Sequence, residues 1–267
     1  MTTEQLTKEF ERSRGKLKSY ILRITASVAD TEDIVQDTYI KAREKFNTFS
    51  GRSSIKTWLY AIATNLAKDN LRARKRWVEN VTDIAKEAAL SDAQFFEEAM
   101  HIRETSAQGQ FEIKEHIAFC FSCIAKSLPL EQQISVLLKE VYDFRVAEIT
   151  KILDTTEAMV KYYLHTGRSK MINVFEGRCA LINKQGICHQ CSELNGIFNP
   201  KQKFQEEAVK IDMVKKAGNA DKEYLFDLRL KIIKGIDPFE SRAAALQLHH
   251  LEHNRRVMEK YLEKEAV

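Results

Sequence analysis

Residues 51–77 read GRSSIKTWLYAIATNLAKDNLRARKRW. Apolar side chains recur in this stretch at the 3.6-residue spacing of a helix with one buried face; they are Ile55, Trp58, Leu59, Ile62, Leu66 and Leu71. Ser53 or Ser54 is placed to cap the start of this helix. The polar face carries Asn65 and Lys68, and the run from Arg72 to Arg76 is strongly basic, which suits the negative end of a helix dipole. In an arbitrary helix, a solvated basic face is the more usual explanation of such a run.

The composition indicates a helical protein that is rich in charged residues. Among 267 residues there are only 9 Gly and 3 Pro, and 30% of the residues are charged. The net charge of +4 is small, so any binding of nucleic acid has to come from local basic patches. No apolar run reaches the roughly 18–20 residues that span a membrane, and the first twenty residues lack the apolar core of a signal peptide. We therefore expect a cytoplasmic protein without a membrane partner.

The residues just before this helix add a second pattern. Residues 30–49 read DTEDIVQDTYIKAREKFNTF, a helix with clustered carboxylates in its first half, followed by a short loop containing Phe, Ser and Gly. Together with the TWLYAIATNLAKDNLRARKR helix, this stretch resembles region two of the extracytoplasmic-function (group IV) sigma factors. These proteins are small promoter-recognition subunits of bacterial RNA polymerase.

The resemblance implies two contact surfaces. It places Asp33, Gln36 and Asp37 against core RNA polymerase. It also implies that the loop and the following helix bind the −10 element and capture a flipped base, through Phe46, Phe49, Ser50, Arg52, Trp58, Asn65, Lys68 and Arg72. The chemistry is suitable, because an unstacked base needs aromatic walls and a polar group for its edge, and an Asn side chain offers both a donor and an acceptor.

A third pattern lies further along the chain. Residues 146–153 and 156–171 predict two short helices joined by a capped turn at Asp154 and Thr155, which is the helix-turn-helix arrangement. The stretch resembles sigma region four, which implies that its second helix contacts the −35 element through Lys161, Tyr162, His165, Thr166 and Arg168. The family often has Arg where this chain has Tyr or Thr, so the −35 sequence stays open, and Phe144 stands where the family often has Gly. A structural helical hairpin is the alternative.

The remaining segments give weaker signals. Residues 81–110 are acidic and irregular, and predict a linker with one weak helix near 92–103. The C-terminal third predicts amphipathic helices, the last over 241–264. That helix carries His249, His250 and His253, for which a solvated helix face is favoured over a shared metal.

The five cysteines form a possible metal site. Two C-x2-C pairs, Cys120/Cys123 and Cys188/Cys191, are accompanied by Cys179 and His189. Four thiolates suit tetrahedral zinc, although Cys120 and Cys123 lie in an apolar helix where Cys often only packs. We expect about one zinc, bound mainly by Cys179, Cys188 and Cys191, with Cys120, Cys123 or His189 completing the site.

The sequence thus predicts an all-α protein with two helical domains and a helical C-terminal extension. The predicted segments are region two (1–78), a linker (79–110), region four (111–176) and the extension (177–267). We expect a sigma factor rather than an enzyme, with core RNA polymerase and promoter DNA as partners and an anti-sigma factor as a further possible one. The alternative is a zinc or redox sensor whose tail controls a helix-turn-helix protein.

Overall fold

The computed structural model describes residues 2–72, 77–78, 80–105, 113–178, 221–241 and 244–265. All regular structure in these ranges is helical, which confirms the predicted all-α class. The helices are α1 (Thr3–Thr25), α2 (Val28–Glu44), α3 (Ile55–Arg72), α4 (Val81–Ser91), α5 (Ala93–Thr105), α6 (Ile113–Ala125), α7 (Leu130–Val136), α8 (Val146–Leu153), α9 (Glu157–Arg178), α10 (Lys222–Lys234) and α11 (Ala244–Lys264). Among the described residues, no helix combines the length and apolarity needed to cross a membrane.

The helices pack into two compact units. Unit 1 comprises Met1–Lys75 and Pro129–Gly167, and unit 2 comprises Arg76–Leu128 and Arg168–Val267. Each unit therefore joins two stretches that are distant in sequence. The predicted division into four consecutive segments concerns functional regions rather than packing, and it stays a prediction.

The first three helices form a bundle in unit 1. Thr2 and Gln5 cap α1 reciprocally, with N···O distances of 2.9 and 3.3 Å, and α1 ends at Ala26 in a left-handed conformation (φ 54°). The buried face of α1 consists of Leu6, Phe10, Leu17, Tyr20, Ile21 and Ile24, which recur at the spacing of one helix face.

The buried face of α3 is rotated from the predicted one. Of the predicted residues, Leu59 and Leu71 are buried, whereas Ile55, Trp58, Ile62 and Leu66 are only half-buried. The remaining core positions of α3 are Thr57, Tyr60, Ala63, Thr64 and Ala67. Small side chains let α1 and α2 approach α3 closely, and a search for large apolar residues does not detect them.

The rest of unit 1 is the helix-turn-helix with the helix before it. After α7 the chain makes a π-helical turn over Leu137–Val141, and α8 spans Val146–Leu153 as predicted. The left-handed residue in the intervening turn is Asp143 (φ 57°), so glycine would suit position 143, and the assignment of that preference to Phe144 was wrong. At Gly167 an added Cβ would lie 3.0 Å from Val136 Cγ2 and 3.2 Å from Gln132 Cβ, so α9 needs glycine there to approach α7.

Unit 2 contains an aromatic core built by α6, α9 and α10. The rings of Phe121, Phe175 and Phe226 lie 6.1–6.4 Å apart between centroids, and all three are buried. Arg229 is also buried, with its guanidinium carbon 4.6 Å from the centre of the Phe175 ring. The C-terminal extension thus supplies part of the core that α6 needs.

The segment predicted as a linker is more regular than expected. It contains two helices, α4 and α5, and α11 packs on both of them. Their buried contacts involve Ala89, Phe95, Ala99 and Leu246. The prediction of one weak helix was wrong. Alanines supply much of the buried face of these helices, and because alanine is only weakly hydrophobic, the periodic pattern in the sequence is faint.

The three histidines of α11 do not form a solvated face, contrary to expectation. The His249 ring stacks on Phe95 at 4.9 Å, and the His253 ring lies 4.0 Å from the same ring. His250 and His253 are buried, and His253 Nε2 is 3.6 Å from an Asp92 carboxylate oxygen. An imidazole packs through its apolar ring faces while its nitrogens seek polar partners, and such packing is invisible to a count of polar residues.

Removing the Phe226 ring should destabilise unit 2. A Phe-to-Ala change at a buried site typically costs about 3–5 kcal/mol. We expect Phe226→Ala to lower the free energy of opening of α6 and α10, measured by native-state hydrogen exchange. Tyr224→Ala is the matched control, because Tyr224 on the same helix is 38% exposed. Equal losses for both variants would contradict this account of the core.

The burial of His253 should make unit 2 sensitive to acid. Burial lowers the pKa of His253, with Arg256 and His249 acting in the same direction and Asp92 opposing them. The unfolded chain therefore takes up this proton first, so the stabilisation is complete above the ordinary His pKa of about 6.5 and declines as the pH falls below it. The free energy of opening of α11, obtained from hydrogen exchange after correction for the intrinsic pH dependence of exchange, should fall more between about pH 7.5 and about pH 5.5 in the wild type than in His253→Gln. Parallel pH profiles for the two proteins would refute the role of His253.

Candidate nucleic-acid interface

An aromatic cluster forms where the loop after α2 meets α3. A short 3-10 turn over Phe46–Thr48 places the Phe46 and Phe49 rings 6.5 and 4.9 Å from the Trp58 ring. All three side chains are half-buried, so part of each ring is accessible. Gly51 follows with a left-handed backbone (φ 70°), a conformation that favours glycine. The three rings form an aromatic surface of the kind on which an unstacked base can pack.

The start of α3 is fixed by one of the two predicted caps. Ser54 Oγ accepts a hydrogen bond from the Thr57 backbone N–H at 3.0 Å. Ser50 and Arg52, also predicted to contact DNA, are exposed in the loop before this cap. The cap therefore sets the direction in which the loop enters the helix.

The polar face of α3 carries the other predicted −10 residues. Asn65 is exposed, seven residues after Trp58, and so lies on the same side of the helix two turns away. Arg72 is exposed and pairs with Asp69 at 2.8 Å, whereas Lys68 pairs with Glu131, which lies just after the start of α7, at 3.4 Å. The aromatic cluster, the amide and the two cations are therefore arranged along one helix.

The predicted polymerase contacts form a separate surface on α2. Asp33, Gln36 and Asp37 are exposed, while Ile34 and Val35 are buried in the bundle. The three residues share one face of the helix. α2 thus presents a polar, acidic surface, as predicted.

The helix-turn-helix is held by local polar contacts. Glu148 accepts hydrogen bonds from the Arg145 backbone N–H at 2.9 Å and from its guanidinium at 3.3 Å, which caps α8. Asp154 makes the turn in a left-handed conformation (φ 50°), and Thr156 Oγ1 accepts a bond from the Met159 N–H at 3.2 Å. The side chain that caps α9 is therefore Thr156 rather than one of the predicted turn residues.

The predicted −35 residues differ in how accessible they are. Lys161, Tyr162 and His165 are exposed on α9, with Tyr162 at 55%. Thr166 is half-buried, and its hydroxyl donates to the Tyr162 carbonyl at 2.8 Å. Lys161 pairs with Glu157 one turn earlier at 2.8 Å. The exposed residues lie close enough on one helix to contact neighbouring base pairs.

Arg168 is held by the C-terminal extension. Its guanidinium lies 3.2 Å from a Glu223 carboxylate oxygen and 2.6 Å from an Asp227 oxygen, both on α10. It also lies over the Phe226 ring at 5.0 Å. These partners could not be predicted from the sequence, because opposite charges almost sixty residues apart are not recognisable as a pair.

The two described cysteines pack in the core of unit 2. Cys120 and Cys123 are buried on α6, and Cys123 Sγ is 3.5 Å from the Asn254 amide nitrogen. Across the described part of the chain, no three His, Cys, Asp or Glu side chains are grouped so that they could hold a metal ion. Cys179, Cys188, Cys191 and His189 lie outside the described residues, so the zinc site stays a prediction.

Comparisons with known proteins match both halves of this interface. The family model of sigma-70 region 2 matches residues 10–77, and that of sigma-70 region 4 matches residues 119–171. The first match contains the aromatic cluster and α3, and the second contains the helix-turn-helix.

Individual relatives carry the same description. The ECF RNA polymerase sigma factor SigG of Mycobacterium tuberculosis is 26% identical over 174 residues, which cover 61% of this chain and 47% of SigG, so the chain spans about half the length of that relative. The ECF RNA polymerase sigma-E factors of Salmonella typhimurium and Escherichia coli are each 28% identical over 162 residues, covering 61% of this chain and 82% of theirs.

One solved structure, the sigma factor RpoE in complex with the anti-sigma factor NepR from Bartonella quintana, aligns with a TM-score of 0.46 at 17% identity. The alignment covers 65% of this chain and 98% of the matched chain in that structure. A TM-score this low adds nothing to the assignment, which depends on the sequence matches. On those matches, residues 10–77 and 119–171 carry sigma-70 regions 2 and 4, and this part of the chain is similar to extracytoplasmic-function sigma factors.

Proposed function

We propose that this protein is an RNA polymerase sigma factor that directs core polymerase to promoters and helps to open them. The proposal rests on one arrangement within the region 2 match. The aromatic cluster and the exposed Asn65 lie along one side of the basic helix α3. A stand-alone repressor that reads duplex DNA has no need for such a surface.

The −10 element would be recognised after the bases unstack. Phe46, Phe49 and Trp58 supply ring surface for a flipped base, and Asn65 offers a donor and an acceptor to a base edge. Arg52 and Arg72 add positive charge for the phosphates on either side. Recognition of a single-stranded base couples sequence reading to melting, because only an opened duplex can fill the site.

The −35 element would be read by α9. Lys161 is suited to a phosphate, and the exposed Tyr162 and His165 can reach base edges in the major groove. Neither residue makes the bidentate contact with guanine that Arg provides, so the preferred −35 sequence need not be rich in guanine at those positions. Core polymerase would contact Asp33, Gln36 and Asp37 on α2.

The alternative function, a zinc or redox sensor controlling a helix-turn-helix protein, gains no support from the comparisons. Metal binding by the extension is a separate proposal. We expect about one zinc per chain, held mainly by Cys179, Cys188 and Cys191. Elemental analysis of the purified protein tests it. Cys188→Ser should abolish the bound metal, whereas Cys120→Ser should leave it if Cys120 only packs, and a wild-type protein without zinc would refute the site.

Run-off transcription tests the proposed function. Adding the protein to bacterial core polymerase and a pool of genomic promoters should give discrete transcripts. Asn65→Ala should reduce open-complex formation by about 5- to 150-fold, the equivalent of about 1–3 kcal/mol of lost base discrimination, with polymerase affinity unchanged. Lys16→Ala, at an exposed position on α1, is the control and should behave as wild type. No transcript from a folded protein would refute the proposal, and equal loss of polymerase binding and melting in Asn65→Ala would indicate a folding defect.

A further inference from the structure

The second half of α9 is contacted by α10 of the C-terminal extension. α9 is one continuous helix, and its exposed candidates for −35 contact end at His165. Further along the helix, Phe175 packs against Phe226 of α10 at 6.1 Å between ring centroids, and a Glu176 oxygen lies 3.7 Å from the Lys222 ammonium. α10 therefore packs on the part of α9 that follows the exposed candidates.

Arg168 is the last of the predicted −35 residues, and hydrogen bonds join its guanidinium to two carboxylates of α10. Nη2 donates to Asp227 at 2.6 Å and to Glu223 at 3.2 Å, and Nε donates to the same Glu223 oxygen at 3.3 Å. The Arg168 side chain is 24% exposed, against 54% for each acidic side chain. The carboxylates are therefore more accessible to solvent than the cation that they bind.

The core of unit 2 fixes these carboxylates in place. Phe226 lies between the two acidic residues in the sequence, is fully buried, and packs against Phe121 and Phe175. The same ring lies 5.0 Å from the Arg168 guanidinium carbon, a cation–π contact on the side of the ring that the guanidinium covers. The partners of Arg168 are thus supplied by a helix whose position does not depend on the ion pairs themselves.

The charges at this site favour exclusion of DNA over presentation of Arg168 to it. Two carboxylates outnumber one guanidinium, so the site has a net negative charge. A DNA phosphate would bind the guanidinium with the same paired geometry that carboxylates use, and it would have to take their place. While the carboxylates stay, a phosphate close to Arg168 is repelled more than it is attracted.

We propose that α10 keeps Arg168 from contacting the DNA backbone, so that the C-terminal extension lowers the affinity of α9 for the −35 element. This inference rests on the proposed function. Tyr162 and His165 stay exposed, so base edges can still be read while one phosphate contact is lost. Phosphate contacts carry no sequence information. The extension therefore weakens −35 binding without changing the preferred sequence.

Binding of the full chain to a short duplex of random sequence measures the missing phosphate contact directly. Glu223→Gln combined with Asp227→Asn keeps both side-chain shapes and removes both charges. By fluorescence anisotropy, we expect this double variant to bind about 2- to 30-fold more tightly than the wild type, which is the range that two exposed ion pairs span. The slope of log affinity against log salt should steepen by about 0.9, the value for one added phosphate contact.

Two controls separate the loss of this contact from general repulsion. In an Arg168→Ala background, removal of the two α10 carboxylates should give no gain, because there is no guanidinium to release. Glu176→Gln combined with Glu240→Gln removes the same number of charges from unit 2 and should change the affinity by less than about two-fold. Asp227→Asn alone breaks the 2.6 Å contact and should give part of the gain, which provides a test if the double variant does not fold.

Three results of the duplex measurement would overturn the proposal. They are no gain on removal of the α10 carboxylates, the same gain in the Arg168→Ala background, and an equal gain in the Glu176 and Glu240 control.

Run-off transcription with core polymerase separates this inference from the proposed function. The variant without the α10 carboxylates should use the same start sites as the wild type and give more transcript at limiting protein concentration. New start sites would mean that Arg168 reads bases, and would overturn the proposal. If the wild type gives no transcript, the proposed function fails and the −35 part of the inference falls with it. If the wild type transcribes and the variant binds duplex no more tightly, only the inference fails.

Discussion

The packing of four aromatic rings between α1, α3 and the start of the helix-turn-helix is the constraint on which unit 1 depends. Tyr20, Tyr60, Tyr142 and Phe144 lie within 4.7–6.3 Å of their neighbours between ring centroids. Two of the phenols are deeply buried, and burial raises the pKa of both Tyr20 and Tyr60. Tyr20 keeps a partner in the Thr64 hydroxyl at 2.8 Å. A buried hydroxyl is costly without a partner, so the Tyr20–Thr64 hydrogen bond helps to specify how α1 and α3 are rotated against each other.

Local periodicity was enough to predict the parts of the fold that depend on neighbouring residues. The buried face of α1 and the bounds of α8 follow from apolar spacing, and the capping of α3 follows from Ser54. Prediction failed where the deciding contact is distant in sequence. The buried alanines of α3, α4 and α5 matter only because another helix lies close to them, and the histidines of α11 are buried only because Phe95 faces them.

The same limit applies to the candidate site. The resemblance marked Phe46, Phe49, Trp58 and Asn65, and the structure brings the three rings together on a helix that also exposes the amide. The resemblance could not show that two of the marked cations have carboxylate partners far along the chain. Lys68 pairs with Glu131, and Arg168 pairs with Glu223 and Asp227. Exposed ion pairs of this kind are individually weak, with a median worth of about 0–1 kcal/mol. A phosphate can therefore replace Glu131 at Lys68, so that pair is compatible with later contact to DNA.

The extension is part of the fold of unit 2 rather than an appendage to it. Phe226 and Arg229 of α10 complete the core around Phe121 and Phe175, and α11 covers α4 and α5. α10 and α11 also cover the apolar face of α6. α6 begins before the residues that match region 4 and continues into them. A change in α10 would therefore act first on the packing of α6 and on the salt bridges of Arg168. Glu223 and Asp227 thus occupy the guanidinium of Arg168, which is one of the groups proposed to contact the −35 element. Release of that guanidinium requires α10 to move, and α10 is held in place by the burial of Phe226.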